Sequence, residues 1–310
     1  MAPIGIPLLG LALSSLRSAT DGAWPLPPFA TSTSASPLVA SWTSSSAPHL
    51  VPNLLQLLTD LCASLPADAD PADISSLIDP FCALALLEDT AQRDAAINAL
   101  LPSLLSWSRP PHSSHFSASV WSTACRLADA DADGLAASLG LLVRTESHLV
   151  TAAAVRDDRF AGMIERGLLH TDLAVRKRAI FLCERAVESL AAANALTGDT
   201  APATWRLTSP ADSASARAHY ESFLLLFEVF DEASVHLIEP AFPQLPGLIY
   251  EMPTRWWVVL LRKLFRNENA SISRYGMKAF FQLELGEHGS LTKVGMGLTK
   301  NRDIVIGAIW

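Results

Sequence analysis

The chain is poor in the residues that carry most recognisable chemistry. Its 310 residues hold four cysteines, Cys62, Cys82, Cys125 and Cys183, with no C-x-x-C pair among them. Each lies in an apolar, helix-like context, which argues against a disulfide framework or a zinc site and fits buried thiols in a reducing compartment. There is no phosphate-binding G-x-x-x-x-G-K loop and no G-x-S-x-G elbow, and the GMG at 295–297 lacks the strand and helix such a loop needs. No stretch alternates apolar with polar residues under β-branched enrichment, so no strand is predicted. Apolar runs all fall short of the roughly 18 residues of a membrane-spanning helix. The opening IGIPLLGLALSSL lacks a basic leader and carries Pro3 and Pro7, so it does not read as a signal peptide. The expectation is a cytoplasmic protein, with the nucleus also open, and no membrane partner.

What is present is apolar bulk. Half of the residues are hydrophobic, enough to bury a sizeable core in one large domain or two ordinary ones. The net charge of −8 is spread unevenly. Residues 1–150 carry 5 basic and 13 acidic side chains, residues 151–250 carry 9 and 13, and residues 251–310 carry 9 and 5. An acidic chain therefore ends in a basic segment, which the overall balance hides.

Residues 1–49 form a low-complexity segment whose stretch from 19 onward, rich in Ser, Thr, Pro and Ala, predicts a loop. From Leu50 to 194, helix follows helix, each with apolar residues at three- and four-residue spacing and short Pro, Asp or Ser punctuation. Residues 195–213, ALTGDTAPATWRLTSPADS, read as a loop insertion. Helices resume over 214–285, with Ser209-Pro210-Ala211-Asp212 as a start signal and Ser209 as the expected cap. Residues 286–310 contain five glycines, lose the period and read as an irregular tail. The fold class is all-α.

One pattern occurs twice. Asp172 is followed by Val175, Lys177 and Ala179, and Asn269 by Ile272, Arg274 and Gly276 at the same offsets of three, five and seven. An Asp or Asn at the turn caps the next helix, the aliphatic residue docks it, and the small residue lets two backbones approach. The two instances lie 97 residues apart, about two repeat lengths of roughly 40–47 residues. This template resembles the inner turn and second helix of HEAT or armadillo repeats. It predicts an α-solenoid of irregular helical hairpins, against which an irregular bundle gives the same periodicity.

Candidate sites are few. DADADG at 129–134 offers Asp129, Asp131, Asp133 and Gly134 in the order of an EF-hand loop, but its twelfth position is Gly140 where a bidentate Glu must close the shell. A capped turn between helices accounts for the same residues. His112 and His115 lack nearby Cys or carboxylate partners, and His236 reads as a helix-face histidine. Trp256 and Trp257 sit in an apolar run and are assigned to the core. No catalytic, cofactor-binding or metal-ligating residue is assigned. The basic residues Arg255, Arg262, Lys263, Arg266, Arg274 and Lys278 are spaced to share faces of two successive helices. Such a ridge suits RNA phosphates, and an ordinary solvated face explains it equally.

LLLFEVFDEASVHLIEPAFPQL and WWVVLLRKLFRNENASISRYGMKAFFQL, with VRKRAIFLCERAVESL upstream, resemble the helical N-terminal region of the long eukaryotic tRNA guanosine 2′-O-ribose methyltransferases of the TAR-RNA-binding-protein type. The likeness covers about residues 160–285, roughly 40 % of the chain. It implies a helical region that engages and positions tRNA for ribose methylation, joined in the full protein to a knotted SpoU/SPOUT domain that binds S-adenosylmethionine. The glycine-rich and Ser-Leu-Asn motifs of that domain are not found here, so the resemblance implies a fragment that binds no cofactor by itself. The alternative is a HEAT-type scaffold whose groove holds protein partners.

Overall fold

The computed structural model describes residues 81–107, 113–197, 202–207, 212–230, 239–245 and 251–282, with scattered positions between 52 and 78 and Gly247. Predictions for residues 1–49 and 286–310, and for Cys62, His112 and His236, lie outside the described residues. The described residues are mostly helical, with turns and irregular segments between the helices and no strand among them. The chain divides into two compact units, residues 1–141 and 142–310.

In the first unit α1 (Thr90–Trp107) buries Ala96, Ile97, Leu100, Leu101 and Leu104, a stripe at helical spacing. Helix α2 (Ser113–Ala130) buries Phe116, Val120, Ala124 and Leu127 in the same way. Asp131 then separates α2 from α3 (Ala132–Arg144). Its Oδ1 accepts the Gly134 N–H at 2.6 Å, so the DADADG segment uses an aspartate as a helix cap, as a turn requires. A Cβ on Gly134 would lie 2.3 Å from the Leu127 carbonyl oxygen, so this turn is tight enough to need glycine. Behind it the buried Ser138 hydroxyl donates to the Ala124 carbonyl at 2.8 Å and ties α3 to α2.

Among its described residues the second unit holds two helical hairpins and, between them in sequence, one further long helix. Helix α4 (Asp158–Leu168) packs along α5 (Leu173–Ala192), α6 (Ser213–Val229) also packs on α5, and α7 (Thr254–Phe265) packs along α8 (Ala270–Gln282). Helix α7 also lies against α4. Aspartates cap the starts of α4, α5 and α6: Asp157 accepts from Arg159 N–H, Asp172 from Ala174 N–H and Asp212 from Ser215 N–H. The cap of α6 is thus Asp212 and not Ser209. The bonds from Ser215 hold the Asp212 carboxyl below its usual range. Helix α5 stops at Asn194, whose φ of 51° places it in the left-handed region, while the Ala195 N–H returns to the Leu190 carbonyl at 2.7 Å.

Of the expected insertion at 195–213, residues 195–197 and 202–207 are irregular in backbone, and the second of these stretches belongs to the core. Trp205 is fully buried. Its Nε1 donates to the Val155 carbonyl at 3.1 Å, and its own carbonyl accepts from the buried Tyr220 hydroxyl at 2.8 Å. Trp256 donates its Nε1–H to the Thr204 carbonyl at 2.7 Å, and the Trp205 and Trp256 rings lie 4.8 Å apart. This loop therefore joins α4, α6 and α7. A short 3₁₀ helix, Glu239–Gln244, plays a similar part at the other end, where Phe242 stacks on both Phe230 and Tyr275.

Candidate nucleic-acid interface

The two template copies become the two hairpins. Asp172 and Asn269 occupy equivalent turns, Asn269 accepting from the Ser271 N–H at 3.0 Å as Asp172 accepts from Ala174. Val175 and Ile272 are both buried to 1 % exposure, which is the docking role their offset predicts. Ala179 and Gly276 are both buried too. At Gly276 the approach is closer: a Cβ there would meet the Leu264 Cβ at 2.7 Å. Gly276→Ala is therefore expected to destabilise the protein by about 1–2 kcal/mol, the overpacking outweighing alanine's better helix propensity. Urea unfolding checks this, since an unchanged or raised midpoint would mean that α7 and α8 are not in such close contact.

The basic residues separate into two groups. Arg255 donates Nε to Glu165 Oε2 at 3.1 Å, with its Nη1 3.6 Å from Asp158. Arg262 donates Nη1 to Glu165 Oε1 at 3.0 Å. Both arginines are about 70 % buried, and one carboxylate on α4 bridges them. Their charge is spent inside the protein, joining α7 to α4, and the ridge predicted along α7 is reduced accordingly. Arg266 and Arg274 are exposed, Lys263 is half-buried, and the Lys278 side chain lies outside the described residues. Lys177, the counterpart of Arg274 in the first hairpin, is exposed as well. Trp256 and Trp257 are buried, in keeping with their assignment to the core.

A cleft of about 230 Å³ lies between α5 and α6, lined by Glu184, Val187, Glu188, Arg217, Tyr220, Glu221 and Leu224. Arg217 bridges Glu188 at 3.2 Å and Glu221 at 2.8 Å. Partial burial, then the nearby Glu228, with smaller contributions from Glu188 and Glu221, raises the Glu184 carboxyl above its ordinary 4.5 against the opposing pull of Arg185. A carboxyl raised by folding stabilises the native state most below its unfolded value and loses that contribution as pH rises through the folded value. Glu184→Gln is thus expected to flatten the pH dependence of melting across the region just above pH 4.5, with the variant gaining on the wild type as pH rises. A melting series from pH 4 to 7 in which the two run parallel would contradict this.

The described cysteines, Cys82, Cys125 and Cys183, are in no disulfide, and the last two are buried. Burial, with Glu184 nearby, pushes the Cys183 thiol far above its usual range, so it is inert packing. Among the described residues no group of three or more His, Cys, Asp or Glu side chains is placed to hold a metal. None of their helices is long and apolar enough to cross a membrane. Comparison of the chain with family models, with curated proteins and with solved structures gave no match.

Proposed function

We propose that the chain is a non-catalytic helical scaffold that engages RNA: the tRNA-positioning region of a SPOUT-type tRNA guanosine 2′-O-ribose methyltransferase, with its hairpins stacked as an irregular HEAT- or armadillo-like solenoid. S-adenosylmethionine would be bound by a catalytic domain elsewhere in the full protein. The observation that carries the reading is the repeated hairpin. Of the stretches on which the resemblance rests, WWVVLLRKLFRNENASISRYGMKAFFQL builds α7, its Asn-rich turn and α8, and the α4–α5 hairpin repeats their cap, docking residue, exposed cation and small residue. Those side chains are used for capping and packing, which leaves the exposed cations as the groups able to meet a ligand. Phosphate contact by such cations releases counterions, so affinity falls steeply with salt.

Filter binding of the 310-residue chain to a tRNA transcript tests this. The reading expects binding at 50 mM salt that weakens by about 20-fold or more by 200 mM, as for three or more phosphate contacts. Absence of binding at 50 mM overturns it. The acidic cleft between α5 and α6 favours a second reading, a protein-interaction scaffold whose partner presents a basic segment. A pulldown that returns a stable protein partner and no nucleic acid would support that reading instead.

A further inference from the structure

We infer that RNA phosphates are met along one edge of the second unit, where the α4–α5 and α7–α8 turns lie side by side, and that Lys177, Arg266 and Arg274 make the contacts. This rests on the RNA-scaffold reading and places its surface away from the α7 face that the sequence singles out.

Two separate sets of contacts align the turns. Arg255 in the first turn of α7 reaches Asp158 in the first turn of α4 as well as Glu165, while Arg262, two turns on, bonds Glu165, also two turns on. Beside Arg255, Trp256 bonds the Thr204 carbonyl, and the Thr204 hydroxyl donates to Asp158. Helices α4 and α7 therefore run in the same direction, so the turns that follow them emerge at the same end. The second set goes through α6. Arg217 near the start of α6 bonds Glu188 near the end of α5, so α6 runs back along α5 and finishes beside the beginning of that helix. At that finish the Phe230 carbonyl accepts from Asn267 Nδ2, in the α7–α8 turn, at 3.2 Å. Both routes bring residues 266–269 to the edge that holds residues 169–172.

The edge is cationic. Lys177, Arg266 and Arg274 are exposed there, with Arg166 and Arg178 also exposed beside them. Among the described residues, the acids sharing the edge are Asp172, whose carboxylate caps α5, the exposed Glu268, and the exposed Glu228 in the last turn of α6. Packed helices lie about 8–10 Å apart, within about one Debye length at physiological salt, so the potentials of the two turns add. Lys177 and Arg274 sit at the same offset in their hairpins, which repeats one cation per hairpin along the edge. A polyanion with regularly spaced charges fits this arrangement. Arg255 and Arg262 do not serve in the same way, because both are half-buried and already bonded to Glu165, with Asp158 beside Arg255.

The test uses the whole chain with Lys177→Glu, Arg266→Glu and Arg274→Glu combined, beside a control with Arg156→Glu, Arg159→Glu and Arg206→Glu. The control changes the same charge at exposed positions near the opposite end of α4. With a tRNA transcript as probe, the edge variant is expected to bind at least about tenfold more weakly at 50 mM salt, with a log–log salt slope smaller by about two to three. The control is expected to stay within about threefold of the wild type. Circular dichroism melting confirms that each variant folds, and Gln replacements at the same three positions serve if the Glu set does not. Equal binding by wild type and edge variant overturns the inference while leaving the RNA-scaffold reading intact. No tRNA binding by the wild type overturns both. Wild-type binding to polyglutamate as tight as to tRNA overturns the assignment of the edge to RNA and marks an acidic protein partner.

Discussion

Replacing Trp205 by alanine is expected to lower the unfolding free energy by about 3–5 kcal/mol, the range for truncating a large buried aromatic side chain. The size follows from position more than from area. Trp205 is fully buried in a segment of irregular backbone, where it contacts the rings of Phe160, Tyr220 and Trp256, so one residue from a loop joins three helices. Its removal also leaves the Val155 carbonyl without the indole N–H it accepts at 3.1 Å. Denaturant unfolding measures the loss. Leu225→Ala is the contrast, because Leu225 is 57 % exposed and its truncation is expected to cost no more than about 0.5 kcal/mol. A Trp205 variant that unfolded like the Leu225 variant would show that the 202–207 segment is peripheral.

Glu165→Gln is the second large effect, at about 2 kcal/mol. That value lies between the fraction of a kcal/mol typical of exposed ion pairs and the 3–5 kcal/mol for breaking a buried one. The amide keeps the volume and one acceptor but leaves two arginine charges of α7 against α4 without the carboxylate they share, each only about 30 % exposed. The consequence is specific to the α4–α7 contact. A double-mutant cycle with Arg262→Met therefore has a sharper outcome than the single variant: a coupling of at least about 1 kcal/mol is expected, and a coupling near zero would mean that the bridge is not formed in solution.

These two residues also mark where the sequence was legible and where it was not. The helices of the first unit, the hairpin turns and their caps follow from local signals: an apolar residue every three or four, an Asp or Asn before each second helix, a small residue seven on. Gly276 and Ala179 could be assigned to close packing because that pattern occurs twice. The irregular segment around Trp205 carries Gly, Pro and Thr that read as a loop, and it is one. Its burial depends on partners 50 residues upstream and 51 downstream, which no local period reports.

The same holds for the basic residues. Spacing put Arg255 and Arg262 on one face of a helix, as the structure shows, but their counter-charge comes from Glu165, 90 and 97 residues away. A lone glutamate in α4 gives no sequence signal of that role. Lys177 was visible only as a position in the repeat, and its relation to Arg266 and Arg274 depends on α4 and α7 running in parallel, which is a tertiary fact.

The central claim is that an RNA lies along the turn edge, and ultraviolet cross-linking of the tRNA complex followed by peptide mass mapping tests it most directly. The account predicts nucleotide adducts on two segments far apart in sequence, residues 170–178 and 263–277, appearing together and disappearing together as salt is raised. Adducts confined to the first unit or to the α5–α6 cleft, with neither turn labelled, would contradict it.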